Sequence, residues 1–222
     1  MSWFQKLYES YDNCRKASES SGYNKILPIY HSMRDSHIEI TIDGEGNFKE
    51  AKFKLEKETI IQTTEKSASR TSNDLPHGLA DEIQYIAKDY AEGVAPVPVG
   101  GVAPPQPAPQ QPPKSNKKFD EYSKLLKKWK ESEYSNEKVN AIYEYTQKGS
   151  IVQDLIDSNI IYKAADKNLK LSGDKFDVKK LLIRWRVNIK NGLQYETWKD
   201  ETIRESWINF MKSQKSEKKK GM

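Results

Sequence analysis

A proline-rich stretch limits how this chain of 222 residues can fold. Residues 91–116 contain eight of the ten prolines, together with Gly, Ala, Val and Gln. Proline lacks a backbone N–H and has a fixed φ, so such a run forms neither a regular helix nor an inner strand. We predict a disordered, partly polyproline-II linker at 91–116 between an N-terminal region, 1–90, and a basic region, 117–211, which a charged tail, 212–222, follows.

Charge is distributed unequally on the two sides of this stretch. Residues 1–113 carry 12 Lys and Arg against 16 Asp and Glu, whereas residues 114–222 carry 25 against 16. A basic half joined to an acidic half indicates a polyanionic partner, most often nucleic acid. A lysine-rich solvated surface accounts for the same charge equally well.

The N-terminal region has the pattern of a helix followed by antiparallel strands. Apolar residues recur at helical spacing over 3–16, and residues 37–42 alternate between isoleucine and polar side chains. The turn-forming run 43–47 predicts a hairpin, with a return strand behind it and a third strand at 59–63. We expect the first helix to pack on this small antiparallel meander.

Helices dominate the later predictions. Residues 76–90 carry one apolar stripe behind Pro76, which suits a first helical turn. Beyond the proline-rich stretch, apolar residues recur at helical spacing from Phe119, Val139 and Ile151. Apolar and polar side chains alternate over residues 181–189, as in a strand, and a final helix is predicted near 198–211. The sequence therefore predicts an α+β protein whose basic region is mainly helical with one added strand.

The usual signatures of catalysis are absent from the sequence. It has no H-E-x-x-H, no Walker A loop and no G-x-S-x-G, and Cys14 is its only cysteine. We expect no catalytic residue, no metal and no cofactor; the alternative is a metal-dependent nuclease that uses His31 and His37 with Asp35. The N-terminus has no secretory pattern, and no apolar run reaches the ~18–20 residues that cross a bilayer, so we expect a cytoplasmic protein.

The polar loop at 66–73 is a candidate for binding nucleic acid. Small hydrogen-bonding side chains surround a cation there, and the loop leads to the predicted helix start at Pro76. Such groups bind phosphates, and Arg or Asn can also contact base edges. The predicted contact residues are Arg70, Thr71, Ser72 and Asn73. The same composition suits a helix-capping loop in which Ser72 or Asp74 is the cap.

Two further basic groups are candidates. The lysines of the first helix in the basic region supply salt-dependent affinity without sequence preference; they are Lys117, Lys118, Lys127, Lys128 and Lys130. Arg184 and Arg186 fall on what the alternation predicts to be the open face of a strand, where they contact a phosphate backbone, solvent or another subunit.

Several segments resemble one family. The first twelve residues, Leu27-Pro28-Ile29 and the hairpin at 37–48 resemble the start of the large subunit of the type I-C CRISPR interference complex (Cascade), of the Csd-one type. The most specific match is an Arg-Thr-Ser followed by Pro-His, a Leu, an Asp and a Tyr, ending in Asp-Tyr. In this chain it is formed by Arg70-Thr71-Ser72, Pro76-His77, Leu79, Asp81, Tyr85 and Asp89-Tyr90.

The resemblance implies a role in recognising DNA. The large subunit senses a short motif beside the target and recruits a helicase-nuclease that cuts, so the implied partners are guide crRNA, target double-stranded DNA, other Cascade subunits and that helicase-nuclease. The proline-rich stretch departs from the family pattern, and family members are much longer, so we expect this chain to be an N-terminal fragment. The alternative is a free-standing protein-interaction module whose proline-rich stretch recruits a partner.

Overall fold

The computed structural model describes residues 3–21, 27–70, 75–90, 116–165, 168–173, 176–190 and 194–220. Helix α1 (Trp3–Ser21) precedes two long strands, β1 (His31–Asp43) and β2 (Phe48–Gln62). Short elements follow: α2 (Glu65–Ala68), β3 (Asp81–Glu82) and α3 (Ile83–Ile86).

The later elements are mostly helical. Helices α4 (Lys117–Lys130), α5 (Glu137–Lys148) and α6 (Ile151–Asp157) precede a small hairpin of β4 (Ile161–Lys163) and β5 (Leu169–Leu171). A 3₁₀ turn (Val178–Lys180) leads into β6 (Leu182–Asn188), and α7 (Glu201–Lys220) follows. The predicted α+β class is confirmed.

One mixed sheet joins the two predicted regions. Its strand order is β2-β1-β6-β3, in which β1 is antiparallel to β2 but parallel to β6. Strand β6 thus lies between two strands of the N-terminal region. The separate third strand predicted at 59–63 is wrong, because β2 continues unbroken to Gln62 and keeps its pairing with β1 through register shifts near Ser36.

The main apolar core covers the sheet and includes residues from both regions; Ile61, Ala80 and Leu182 form a second, smaller cluster. Ile38, Ile40 and Ile42 of β1 are fully buried, as are Trp129 of α4 and Trp207 of α7. Two buried polar side chains of this core donate hydrogen bonds to the same backbone carbonyl. The Leu79 carbonyl accepts one from the Trp185 indole at 2.9 Å and one from the Tyr122 hydroxyl at 2.8 Å.

The hairpin between β1 and β2 lies against α5. Gly46 has φ of +75°, and a Cβ there would lie 2.6 Å from the Ala141 carbonyl oxygen. Lys148 donates to the Gly46 carbonyl from the end of the same helix, at 2.6 Å. Glycine at 46 is therefore required both by the turn and by the close approach of α5.

The helix predicted over 76–90 is wrong except at Ile83–Ile86. The Asp81 carboxylate accepts the backbone N–H of His77 at 2.7 Å and that of Glu82 at 2.8 Å, which holds this segment in an extended turn. Asp81 and Glu82 then pair with β6. The apolar stripe reflects burial within an irregular segment.

Both termini differ from expectation. The predicted tail at 212–222 is helical as far as Lys220, because α7 continues. The apolar side chains Trp3, Leu7 and Tyr8 of α1 are exposed, so the structure does not show the predicted packing of this helix on the sheet.

The linker predicted at 91–116 lies outside the described residues except for Asn116. Its two ends meet. The Asn116 side-chain amide lies within 3.1–3.4 Å of the carbonyl oxygens of Gln84, Ala87 and Tyr90. The stretch 91–115 therefore begins and ends at one place on the fold.

Candidate nucleic-acid interface

Arg70 is the centre of a buried ion pair. Its guanidinium donates to both oxygens of the Asp81 carboxylate, at 3.0 and 2.8 Å. The Asp81 side chain is fully buried and that of Arg70 is 9% exposed. The guanidinium also lies 4.0 Å from the centre of the Tyr85 ring. This bidentate, stacked arrangement requires arginine and fixes the position of the residue.

His77 and Ser67 extend this cluster. His77 Nδ1 lies 3.1 Å from the Ser67 hydroxyl, and Thr64 and Ser67 form a reciprocal capping box at the start of α2. Burial lowers the pKa of His77 to about 4. The imidazole is thus neutral near pH 7 and serves as a hydrogen-bonding part of the interior.

The Arg70 cluster closes a four-residue loop. Arg70 Nη1 donates to the Leu75 carbonyl at 3.1 Å, so the residues on either side of 71–74 are held together. Thr71, Ser72 and Asn73, the remaining predicted contacts of this loop, lie outside the described residues. The structure describes Arg70 and Leu75, the residues that flank this loop. The Arg70 guanidinium is already paired with Asp81 there.

The lysines of α4 have different surroundings. Lys118 donates to the Gln84 side chain at 2.6 Å, Lys127 lies 3.8 Å from Glu131, and Lys130 pairs with Glu144. Lys117 and Lys128 are exposed, and no acidic side chain among the described residues forms an ion pair with either.

Lys124 is a candidate that the sequence-based site prediction missed. It is exposed and has no ion pair within the part of the chain that the structure describes. With 3.6 residues per turn, Lys117, Lys124 and Lys128 fall within about 20° of one line along the helix. We call these three residues the lysine stripe. Their spacing of seven and four residues is the sequence pattern that could have identified them as neighbours on one helix face.

Arg184 is not on an open face. Its side chain is 1% exposed, donates to Glu39 at 2.7 Å and stacks on Trp198 at 3.9 Å. The prediction of an open strand face is wrong at this residue, because β6 is an inner strand and the Glu39 carboxylate is buried opposite it. Arg186 is 39% exposed and lies 3.9 Å from Glu39, so part of its guanidinium faces outward.

Residues 7–222 match the protein-family model described as CRISPR-associated protein (Cas_Csd1). The chain belongs to this family. A comparison with curated protein sequences found no significant match.

The motif of the Cas_Csd1 chain that carried the resemblance has a structural explanation. Arg70, His77 and Asp81 form the buried cluster described above. Asp89 accepts the backbone N–H of Val152 at 2.8 Å and so caps α6 from a distant part of the chain. Burial raises the pKa of the Asp89 carboxyl. At least these motif residues stabilise the fold directly.

His31 and His37, the two histidines of the alternative metal site, have different hydrogen-bond partners. His31 Nδ1 donates to the Ile29 carbonyl at 2.9 Å, while His37 Nδ1 accepts the Leu182 N–H at 3.1 Å. Among the residues that the structure describes, no three His, Cys, Asp or Glu side chains are grouped to hold a metal ion. Within the same residues, no helix of the Cas_Csd1 chain has the length and apolar character to span a membrane.

Proposed function

We propose that this chain is a non-catalytic large-subunit component of a type I-C Cascade complex and takes part in recognising the motif beside the target. The observation that carries the proposal is the match to the Cas_Csd1 family over residues 7–222. In RNA-guided systems, base pairing with the guide reads the sequence, and protein reads a short adjacent duplex motif.

One described surface and one polar segment of the sequence support a role in binding DNA. The lysine stripe supplies positive charge on one face of α4 that forms no ion pair with the described acidic residues, which suits sequence-independent contact with phosphates. The loop at 71–73 adds Thr, Ser and Asn side chains, the kinds that reach phosphates or base edges. In this proposal Arg70 positions the loop through Asp81, and Arg186 contacts nucleic acid or a neighbouring subunit.

The proposed partners are guide crRNA, target double-stranded DNA, the other Cascade subunits and the recruited helicase-nuclease. That separate enzyme performs cleavage, so this chain needs no catalytic group, metal or cofactor. With these proposed partners, the chain would act in the cytoplasm.

The test is binding of the chain to a labelled 30-base-pair duplex, measured by fluorescence anisotropy at about 50 and 200 mM salt. We expect the affinity to fall at least tenfold between the two, because each neutralised phosphate releases counterions. Binding that is independent of salt, or absent both for the chain and for the chain mixed with guide RNA and partner subunits, would favour the interaction-module alternative.

Incubation of the same duplex with Mg²⁺ or Mn²⁺ tests the non-catalytic role. We expect no cleavage by the chain. Cleavage that disappears in a His31→Ala variant would establish the nuclease alternative in its place.

A further inference from the structure

A cavity of about 340 Å³ opens between β1, β3 and the 3₁₀ turn. This volume lies within the range of about 300–1,000 Å³ that is usual for small-molecule sites. The residues that line it include Arg34, Asp35, His37, Glu82, Phe176 and Lys180. We call it the His37 cavity. It lies beside the Arg70 cluster, since Arg34 donates to the Ala68 carbonyl at 3.2 Å and Arg70 lies 3.5 Å from Glu82.

Aromatic rings form one wall of the His37 cavity. The Phe176 ring lies 5.0 Å from the His37 ring in an edge-to-face arrangement. Phe176 is 40% exposed, so much of its ring remains uncovered by protein. Phe53 of β2 supports it at 6.4 Å. An exposed aromatic ring held in place by two others is a surface on which a planar group can stack.

Hydrogen-bonding groups of both kinds face the same space. His37 Nδ1 accepts the Leu182 N–H, so the proton of the neutral ring is on Nε2, which is therefore a donor. Burial lowers the pKa of His37 and keeps it neutral, although the Asp35 and Glu82 carboxylates act in the opposite direction. The Asp35 and Glu82 carboxylates belong to residues that line the same cavity, and both can accept hydrogen bonds.

The charges around the cavity largely cancel. Arg34 and Lys180 face Asp35, Glu82 and Asp177. Just outside the lining, Arg70 lies 3.5 Å from Glu82 and Lys179 lies 3.4 Å from Asp177, while Arg70 is also paired with the buried Asp81 carboxylate. The four cations of the lining and its surroundings are therefore matched by four carboxylates. A site of this kind is poorly suited to a phosphate, which needs excess positive charge. It suits an uncharged planar group that both donates and accepts hydrogen bonds.

We propose that the His37 cavity holds one unstacked nucleobase of a single strand, and that it prefers bases with an exocyclic amino group. The base stacks on Phe176, and its amino group donates a hydrogen bond to Asp35 or Glu82. An acceptor atom on the ring of the base accepts a hydrogen bond from the His37 Nε2–H. Cytosine, adenine and guanine have such an amino group, whereas thymine and uracil lack it. This inference rests on the proposed function, since it takes nucleic acid as the partner.

The first experiment measures binding of the whole chain to fluorescein-labelled hexamers of deoxycytidine and thymidine at one salt concentration. We expect tighter binding of the cytidine hexamer. Phe176→Ala should weaken it about fivefold or more, in line with the loss of one base–aromatic stack. The matched control is Tyr162→Ala, since Tyr162 is 46% exposed and does not line the cavity; it should change the affinity less than twofold.

Asp35→Asn provides a second variant at an exposed position, where folding is not at risk. The loss of one negative charge affects both hexamers alike, so the readout is the ratio of the cytidine affinity to the thymidine affinity, which we expect to fall. Crosslinking with a 5-iodocytidine hexamer, followed by peptide mapping, should modify His37 or Phe176. The proposal is overturned if crosslinks form only elsewhere, or if Phe176→Ala binds like Tyr162→Ala.

Duplex binding at two salt concentrations, measured in parallel, separates this inference from the proposed function. Salt-dependent duplex binding with no effect of Phe176→Ala overturns the base site and leaves the proposed function standing. Hexamer binding that depends on Phe176 without any duplex binding supports the base site and contradicts the duplex role. If neither the duplex nor the hexamers bind, to the chain alone or to the chain mixed with guide RNA and partner subunits, both proposals are overturned. Equal affinities for the two hexamers overturn the amino-group preference.

Discussion

The side-chain amide of Asn116 lies 3.1 Å from the carbonyl oxygen of Tyr90 and donates a hydrogen bond to it. The same Asn116 caps α4, because its side-chain oxygen accepts the Phe119 N–H at 3.2 Å. One residue therefore joins the two ends of the proline-rich stretch and starts the helix that follows it. The stretch is an insertion into a single fold, with its ends held at one point.

Replacing residues 91–115 by a short Gly-Ser connection should preserve the fold. The hydrogen bond between Tyr90 and Asn116 keeps the ends within about 10 Å, which four residues can span. Closing a shorter loop costs less entropy, so the free energy of unfolding should rise by up to about 1–2 kcal/mol. Urea unfolding of both chains measures this difference. A large loss of stability would show that the stretch itself contributes to the core.

Arg70→Ala should cost about 3–5 kcal/mol of unfolding free energy, because it leaves the buried Asp81 carboxylate without its cation. Arg70→Lys should recover only part of this loss, since an ammonium cannot make the paired hydrogen bonds. The control is Lys66→Ala, four residues earlier at an exposed position, which should change stability by less than about 0.5 kcal/mol. Urea unfolding again supplies the measurement, and equal stability of Arg70→Ala and Lys66→Ala would contradict the structural role.

Local periodicity explains which elements could be predicted. The alternation at 37–42 and 181–189 and the stripe from Phe119 to Trp129 are signals that depend on near neighbours alone, and each became a strand or helix. The parallel pairing of Ile38 with Ile183 joins residues 145 positions apart, and no local pattern encodes it. That pairing makes β1 an inner strand and sets Arg184 beside the buried Glu39.

The candidate site was predictable as composition but not as geometry. A lysine-rich helix was evident, but which lysines are unpaired depends on Glu144 and Gln84, which folding brings to α4. Likewise, Arg70 stands in a polar loop, and its carboxylate partner lies 11 residues further on. The His37 cavity combines residues from three separate parts of the chain, so the sequence alone did not indicate it.

The lysine stripe should contribute to DNA affinity more than the paired lysines of the same helix. We compare Lys117→Gln/Lys128→Gln with Lys127→Gln/Lys130→Gln, two double variants with the same loss of charge. Each phosphate contact contributes about 0.9 to the slope of log affinity against log salt, so the first pair should reduce that slope by about 2. The second pair should reduce it by less, because Glu131 and Glu144 already offset those lysines. Anisotropy titrations over a salt series measure both slopes, and equal slopes would exclude a special role for the stripe.

Acid should destabilise the protein through His31 and His77 well before most carboxylates are protonated. Burial lowers the pKa of each to about 4, against about 6.5 in the unfolded chain. Between these values the unfolded state binds more protons than the folded state, so stability rises with pH and is lost as pH falls from 6.5 towards 4. Each histidine should account for about 2 kcal/mol between pH 7 and pH 5.

His77→Gln isolates one of these contributions. The variant keeps a hydrogen-bonding group near Ser67 but has no titrating proton, so its loss of stability between pH 7 and pH 5 should be about 2 kcal/mol smaller than that of the unmodified chain. Urea unfolding at the two pH values measures this. The comparison uses each chain as its own reference, so any cost of the substitution at pH 7 cancels. An unchanged difference between the two pH values would mean that His77 takes up its proton without penalty, which its burial beside Arg70 and Arg34 argues against.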